Sequence, residues 1–233
     1  MAVANDAVAR YAEWVASVTR HRDASHGIEH FERVRVSAVE LADETLPLSS
    51  DARLTLELAA LSHDVLDHKY VAGDVATLRA SMEDALKRLA GLDKDQVRAV
   101  CLVADNISLS KELRGEVDLG GLRRCGCLEI RNLVSDADKL DALGLHGLKR
   151  LAQYQAHLLQ LEGRGAQVLT QSFLRNVASD HLLHRADYLK TPAARARGEA
   201  LLRETIAIMN SDAALQEIIA GAVPGVDFSG GAE

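Results

Sequence analysis

Apolar residues recur three and four positions apart along most of the chain, which is the spacing of one face of an α-helix. Leu54, Leu58, Leu61 and Val65 form one such series. Only 3% of the residues are aromatic and three are proline, a composition that suits packed helices better than a β-sandwich. The sequence therefore predicts an all-α protein, with helices at about 3–20, 27–43, 51–66, 75–90, 95–107, 127–143, 147–161, 166–188 and 193–210.

The length of 233 residues is ample for one large helical domain. We expect this domain to cover residues 1–220 and an irregular tail to cover 221–233. The charged, Gly-rich segment from Ser108 to Gly126 predicts a loop that would cover a pocket. No stretch approaches the ~20 apolar residues that span a bilayer, and the N-terminus lacks the apolar core of a secretion signal. We expect no membrane partner.

The net charge of −7 disfavours nucleic acid as a partner, because nucleic-acid binding relies on a basic surface. A small anionic substrate remains compatible, since a metal ion and a few cations can reverse the field inside a pocket. Three cysteines do not describe a disulfide scaffold, so we expect a cytoplasmic location. Cys125 and Cys127 do not match zinc-ligand spacing and are predicted to be structural. The oligomeric state is not indicated.

Histidines and carboxylates at helical spacing occur in three separate strings: SHGIEHFERV at 25–34, SHDVLDHKY at 62–70 and VSDADKLDALG at 134–144. In the first string His26, His30 and Arg33 are at i, i+4 and i+7, which predicts that they share one helix face. Together the three strings predict a single metal site.

The second string places His63 and Asp64 at the end of an apolar helical pattern, with Asp67 about one turn further on. In the third string Asp138 and Asp141 are three residues apart, on a face adjoining the predicted buried face. One of these two aspartates would complete a shell of two histidines and two carboxylates.

Mixed imidazole and carboxylate ligands suit Mn²⁺, Fe²⁺, Co²⁺, Ni²⁺ or Zn²⁺ better than Ca²⁺. The lack of thiolate ligands argues against a closed structural zinc site. A bound divalent ion lowers the pKa of its water and polarises a phosphoryl oxygen, so hydrolysis is the reaction class that the ligands favour. Asp67 would then be a general acid or base.

The order of a histidine in HFERV, a His-Asp pair in SHDV and an aspartate in ADKL resembles that of the HD-domain metal-dependent phosphohydrolases. The strings DASHGIEHFERV at 23–34 and DADKLDALGLHGLKR at 136–150 resemble a small bacterial subfamily related to nucleoside triphosphate pyrophosphohydrolases. This resemblance implies an HD-domain helical bundle, with additional C-terminal helices.

The resemblance also implies one divalent ion, Mn²⁺, Mg²⁺, Co²⁺, Ni²⁺ or Fe²⁺, held by His30, His63, Asp64 and Asp138. Binuclear members of the family draw further histidines from the stretch before the last aspartate, and residues 69–137 contain none. One ion is therefore favoured over two, which argues against the cyclic-dinucleotide phosphodiesterase branch.

Asp67 stands where related hydrolases carry an acidic catalytic residue, and His26 is predicted to be catalytic as well. The alternatives for His26 are holding a phosphate, contacting a metal ligand and a purely structural contact at the N-terminus of a helix. The residues predicted to bind a nucleotide substrate are Arg33, Lys69, Lys139 and Asp141.

The predicted reaction is hydrolysis of a nucleoside or deoxynucleoside triphosphate to monophosphate and pyrophosphate. Its alternatives are a nucleotide phosphomonoesterase, an alarmone hydrolase and a non-catalytic nucleotide-sensing module. Alarmone hydrolases carry two neighbouring acidic residues after the His-Asp pair, whereas here Asp67 is followed by His68. The alarmone alternative is therefore disfavoured.

Overall fold

The computed structural model describes residues 2–23, 25–67 and 74–223, and within them the chain forms helices and no strand. The predicted all-α class is confirmed. None of the described helices is both long and apolar enough to cross a membrane. The helices are α1 Ala2–Thr19, α2 Ile28–Thr45, α3 Ser50–Ser62, α4 Val75–Arg88, α5 Lys94–Ala104, α6 Leu109–Leu113, α7 Leu119–Arg124, α8 Leu128–Asp141, α9 Gly144–Leu161, α10 Gln171–His181, α11 Pro192–Met209 and α12 Asp212–Ala222.

Helix α3 is shorter than predicted, because it ends at Ser62 and not near residue 66. The chain continues as a tight turn in which the Val65 N–H donates to the Ser62 carbonyl at 3.1 Å. The predicted helix at 166–188 is also interrupted: α10 lies between two short 3₁₀ segments, Ala166–Val168 and Leu183–Tyr188. The Thr170 side chain accepts from the Phe173 N–H and so sets the start of α10.

Two further regions differ from the prediction. The segment from Ser108 to Gly126 is not a plain loop, since it contains α6 and α7, and the Asp118 side chain caps α7 by accepting from the Gly121 N–H. Helix α12, which was not predicted, begins after Ser211 and runs through Ala222. The rest of the predicted tail, 224–233, lies outside the described residues.

The chain divides into two compact units. The first consists of Met1–Arg22, His26–Asp138 and Lys190–Ala194, and the second of Asp23–Ser25, Lys139–Leu189 and Arg195–Glu233. The single domain over residues 1–220 stays a prediction.

In the first unit α3 packs against α1, α2 and α5. Its apolar residues Leu56, Leu58 and Leu61 are fully buried. Burying a leucine side chain contributes roughly 1.5–3 kcal/mol, so this packing fixes the end of α3 firmly. The histidine and aspartate of SHDV follow directly from that end.

The second unit has its own apolar core, made by α9, α10 and α12, which contact one another. Leu148, Leu159, Leu174, Leu215 and Ile219 are among its buried residues.

Buried charged side chains distinguish α8. Arg131 is 2% exposed, and its Nε donates to the Asn106 carbonyl at 2.7 Å. The Arg131 Nη2 atom lies 3.3 Å from a carboxylate oxygen of Glu112, which also pairs with Lys190. A buried cation is tolerated when it is paired and hydrogen-bonded, as it is here.

Asp136, five residues after Arg131 on α8, is fully buried. Its carboxylate accepts from the N–H groups of Lys190 and Thr191, both at 2.8 Å, and from the Thr191 hydroxyl at 2.8 Å. Asp136 therefore ties α8 to the segment that leads into α11.

Candidate metal centre

Two imidazole rings face each other inside the first unit. His30 lies in the first turn of α2, and His63 directly follows the last residue of α3. Their Nε2 atoms are 3.1 Å apart, and each side chain is only 1% exposed. The packing of α2 against α3 brings together two histidines that are 33 positions apart.

A backbone contact sets the tautomer of His63. Its Nδ1 lies 2.7 Å from the Ala60 carbonyl oxygen, which can only accept a hydrogen bond. The Nδ1 atom therefore carries the proton, and in the neutral ring the Nε2 lone pair is directed away from it. A metal-binding imidazole is typically oriented by such a bond.

Two carboxylates complete the group. An Asp64 oxygen lies 3.8 Å from the His30 Nε2 and 3.6 Å from the His63 Nε2. An Asp138 oxygen lies 3.7 and 3.8 Å from the same two atoms. The Asp64 and Asp138 side chains are 30% and 19% exposed, so solvent reaches the carboxylates while the imidazoles are enclosed.

His30, His63 and Asp64 can hold a single divalent ion, and Asp138 lies close to both imidazoles. Two ligand atoms that each lie about 2.1 Å from one ion are roughly 3.0–3.4 Å apart at tetrahedral or octahedral angles. The separations of 3.1–3.8 Å match or slightly exceed that range. His30, His63 and Asp64 also have ligand atoms that all lie within 4.8 Å of one another.

The electrostatics of the group favour an ionised Asp64. Burial opposes its ionisation, but the electrostatic attraction of the neighbouring His63, His30 and His26 side chains outweighs burial and holds the pKa of Asp64 well below its usual range. Asp64 is thus a carboxylate at neutral pH, which is the form that binds a cation.

The prediction that His26 shares a helix face with His30 is wrong, and so is the predicted extension of the helix through His63. Helix α2 begins at Ile28 with Gly27 as its N-cap, so His26 precedes the helix. His63 caps the C-terminus of α3, and Asp64 lies in the turn that follows. His26 nevertheless lies beside the group, because its ring centroid is 6.2 Å from that of His30.

The remaining predicted residues are less closely tied to the group. The Asp67 N–H donates to the Asp64 carbonyl at 3.0 Å, so Asp67 closes the same turn. Arg33 is half-buried on α2. Lys69 lies outside the described residues. The roles of all three, and that of His26, stay predictions.

Lys139 and Asp141 belong to the second unit. Lys139 is fully buried, although the prediction makes it a phosphate ligand. Asp141 is also largely buried and accepts from the Arg150 guanidinium at 2.6 Å. Their substrate-binding roles stay predictions. Cys125 is exposed and Cys127 is buried, and neither forms a disulfide within the described chain.

Arg22 is a residue at the centre that sequence reasoning missed. Its guanidinium donates to the carbonyls of Asp64 and Val65, at 2.8 and 2.7 Å. Its acceptors are backbone atoms more than 40 positions away, which no spacing pattern reveals. Only the adjoining SHG string indicates that this part of the chain matters.

The chain matches no protein-family model, and no curated protein matches it by sequence. Solved structures do resemble it. A Lactobacillus plantarum protein superposes with a TM-score of 0.65 at 20% identity, over 88% of this chain and 93% of that one. Bacillus subtilis YpgQ in complex with ADP gives 0.61 at 21% identity, over 94% and 100%. An HD-superfamily hydrolase from Bacillus thuringiensis gives 0.61 at 22% identity, over 88% and 94%.

The chain therefore has the fold of a group of structures that includes an HD-superfamily hydrolase, and the predicted HD-type helical bundle is confirmed. The more detailed resemblance to one bacterial subfamily stays a prediction.

Proposed function

We propose that this chain is a divalent-metal-dependent phosphohydrolase whose ion is held by His30, His63, Asp64 and Asp138. The observation that carries the proposal is that two imidazole nitrogens lie 3.1 Å apart and that each of two carboxylates lies 3.6–3.8 Å from both of them. Three separate parts of the chain supply these ligands, and the edges of the two carboxylates are exposed to solvent.

We further propose that the substrate is a nucleoside or deoxynucleoside triphosphate. The structure of Bacillus subtilis YpgQ with ADP supports a nucleotide ligand for this fold. In the proposed reaction a water oxygen bonds to the α-phosphorus, the bond from that phosphorus to the α,β-bridging oxygen breaks, and pyrophosphate leaves. The products are a nucleoside monophosphate and pyrophosphate.

The chain's own residues would bind, orient and move protons. A bound divalent ion supplies water of lowered pKa and offsets phosphate charge. Asp67 would take the proton of the attacking water, and His26 would donate to the substrate or leaving group. The substrate phosphates would be bound by Arg33, Lys69 and Lys139, and Asp141 would accept from a ribose hydroxyl.

The test is a screen of Mn²⁺, Co²⁺, Ni²⁺, Fe²⁺ and Mg²⁺ against nucleoside mono-, di- and triphosphates and guanosine tetraphosphate, with pyrophosphate and orthophosphate measured separately. Asp64→Asn removes a proposed ligand charge. Asp51→Asn is the matched control, because Asp51 is an exposed aspartate in the first turn of α3.

We expect metal-dependent pyrophosphate release from triphosphates in the wild type and Asp51→Asn, and none in Asp64→Asn. Orthophosphate from monophosphates alone would replace the proposal with a phosphomonoesterase. Tight nucleotide binding without turnover would replace it with a sensor. Full activity in Asp64→Asn would remove Asp64 from the site.

A further inference from the structure

We infer that Arg22 is a positioning residue for the metal centre: its guanidinium holds the turn that carries His63 and Asp64 in the ligand-binding geometry. This inference rests on the proposed function, because the metal ion and its four ligands are proposed there. Arg22 is not one of those ligands. Arg22 precedes α2 by six residues and belongs to the same compact unit as those ligands.

The turn begins where α3 ends, and within it the Asp64 carbonyl accepts from the Asp67 N–H at 3.0 Å. Carbonyl groups at and beyond a helix C-terminus lack partners within the helix and must be satisfied elsewhere. Here the Arg22 Nη1 donates to the Asp64 carbonyl at 2.8 Å, and its Nη2 donates to the Val65 carbonyl at 2.7 Å. One planar group therefore fixes two consecutive peptide units, one of which belongs to a proposed ligand.

An aromatic ring connects the same guanidinium to both imidazoles. The Arg22 Cζ atom lies 5.9 Å from the centroid of the Phe31 ring, within the range of a cation–π contact. Phe31 is fully buried, and its ring centroid lies 5.8 Å from that of His30 and 5.4 Å from that of His63. Arg22 thus packs on the ring that contacts both histidines.

A lysine would not reproduce this arrangement. The guanidinium presents two parallel N–H donors in a fixed plane, and the same plane packs on Phe31. An ammonium group is a single point charge with no planar face. Arg22→Lys keeps the charge but loses the fork, and Arg22→Gln loses both.

The experiment measures Co²⁺ binding to the purified full chain by visible absorption, which reports the ligand geometry and does not require turnover. A metal-ligand partner of this kind typically contributes 10- to 100-fold to affinity. We therefore expect about a 10- to 100-fold weaker Co²⁺ affinity in Arg22→Gln, with a changed absorption spectrum, and an intermediate loss in Arg22→Lys. The matched control is Arg20→Gln, an exposed arginine two residues earlier, which should bind as the wild type does.

Thermal unfolding of the metal-free variants separates positioning from general stabilisation. A merely structural Arg22 would lower the melting temperature of Arg22→Gln while the folded molecules kept wild-type Co²⁺ affinity and spectrum, and this result would overturn the inference. If Arg22→Gln does not fold, Arg22→Lys decides the question, because wild-type affinity in that variant would equally overturn it. No Co²⁺ binding by the wild type would instead remove the proposed metal site itself.

Discussion

Two aspartates on α8, only two residues apart, have opposite surroundings. Asp136 is fully buried and accepts three hydrogen bonds from Lys190 and Thr191. Asp138 is 19% exposed and lies 3.7 and 3.8 Å from the Nε2 atoms of His30 and His63. One carboxylate is satisfied by donors of the chain, and the other faces two nitrogen atoms that can each offer a lone pair.

This contrast separates a structural carboxylate from one that we propose binds a metal ion. A buried carboxylate with fixed donors holds two segments together and leaves little capacity for a ligand. A carboxylate that lies beside two imidazoles and is open to water belongs to a cluster of electron-pair donors. Only a bound cation or protons can neutralise such a cluster. The same substitution at the two positions should therefore have different consequences.

The largest effect is expected for Asp138→Asn. This variant should fold, and its Mn²⁺ affinity should fall by more than about 100-fold, because even loss of a group behind a ligand typically lowers affinity 10- to 100-fold. Turnover should fall with it. The measurements are a metal titration and steady-state kinetics at several Mn²⁺ concentrations. A wild-type Mn²⁺ affinity in Asp138→Asn would show that Asp138 is not a ligand, and the proposed difference between Asp136 and Asp138 would be wrong.

Asp136→Asn should instead lower stability. The amide offers one acceptor oxygen where the carboxylate offered two, so a buried N–H or hydroxyl of Lys190 or Thr191 loses its partner. The expected loss is about 2 kcal/mol of unfolding free energy, measured by urea denaturation. The folded fraction should retain Mn²⁺ affinity. A large loss of affinity without a loss of stability would place Asp136 in the site.

The sequence could not separate these two aspartates. Helical spacing predicts the buried face of α8, and it identifies Asp138 and Asp141 as neighbours on an adjoining face. The partners that distinguish Asp136, Asp138 and Asp141 lie elsewhere: Lys190 is 54 positions from Asp136, and His30 is more than 100 from Asp138. Only the resemblance to a family selected Asp138 in advance.

The helices were predicted well where apolar periodicity is strong and poorly where capping decides. Helix α3 was placed correctly, but its end at Ser62 depends on packing against α1, α2 and α5. Helix α12 lies outside the predicted helices, although Ser211 and Asp212 form an N-terminal capping signal in the sequence. No residue spacing in the sequence indicates the hydrogen bonds from Arg22 to two backbone carbonyls.

Adding Mn²⁺ should distinguish Asp136→Asn from Asp138→Asn by a smaller effect, a rise in melting temperature. An ion that binds only the folded chain stabilises it by about 1.4 kcal/mol at ten times its dissociation constant. For a chain of this size the melting temperature should rise by roughly 3–6 °C. At that Mn²⁺ concentration the shift should be present in Asp136→Asn and absent in Asp138→Asn. Equal shifts in both variants would place the ion elsewhere.

The smallest effect is expected for Tyr11, whose hydroxyl is hydrogen-bonded to Ser62, the residue before His63. Its buried hydroxyl lies 2.8 Å from the Ser62 Oγ, and the Ser62 hydroxyl lies 2.7 Å from the Leu58 carbonyl, so Tyr11 donates to Ser62. Tyr11→Phe leaves Ser62 with its carbonyl partner. We expect a loss of about 1 kcal/mol at neutral pH, with unchanged Mn²⁺ affinity although Ser62 precedes His63.

The pH dependence of the stability difference between the wild type and Tyr11→Phe tests whether Tyr11 is held as a neutral donor. Burial raises the pKa of Tyr11 above its ordinary value of 10.0. Above pH 10 the unfolded chain therefore releases the Tyr11 proton while the folded chain retains it. This contribution to stability is complete below pH 10 and declines above it, by about 1.4 kcal/mol per pH unit. Tyr11→Phe lacks this component, so urea denaturation curves of the two proteins should converge as the pH rises above 10. A constant difference would mean that Tyr11 ionises in the folded chain and is not held as a neutral donor to Ser62.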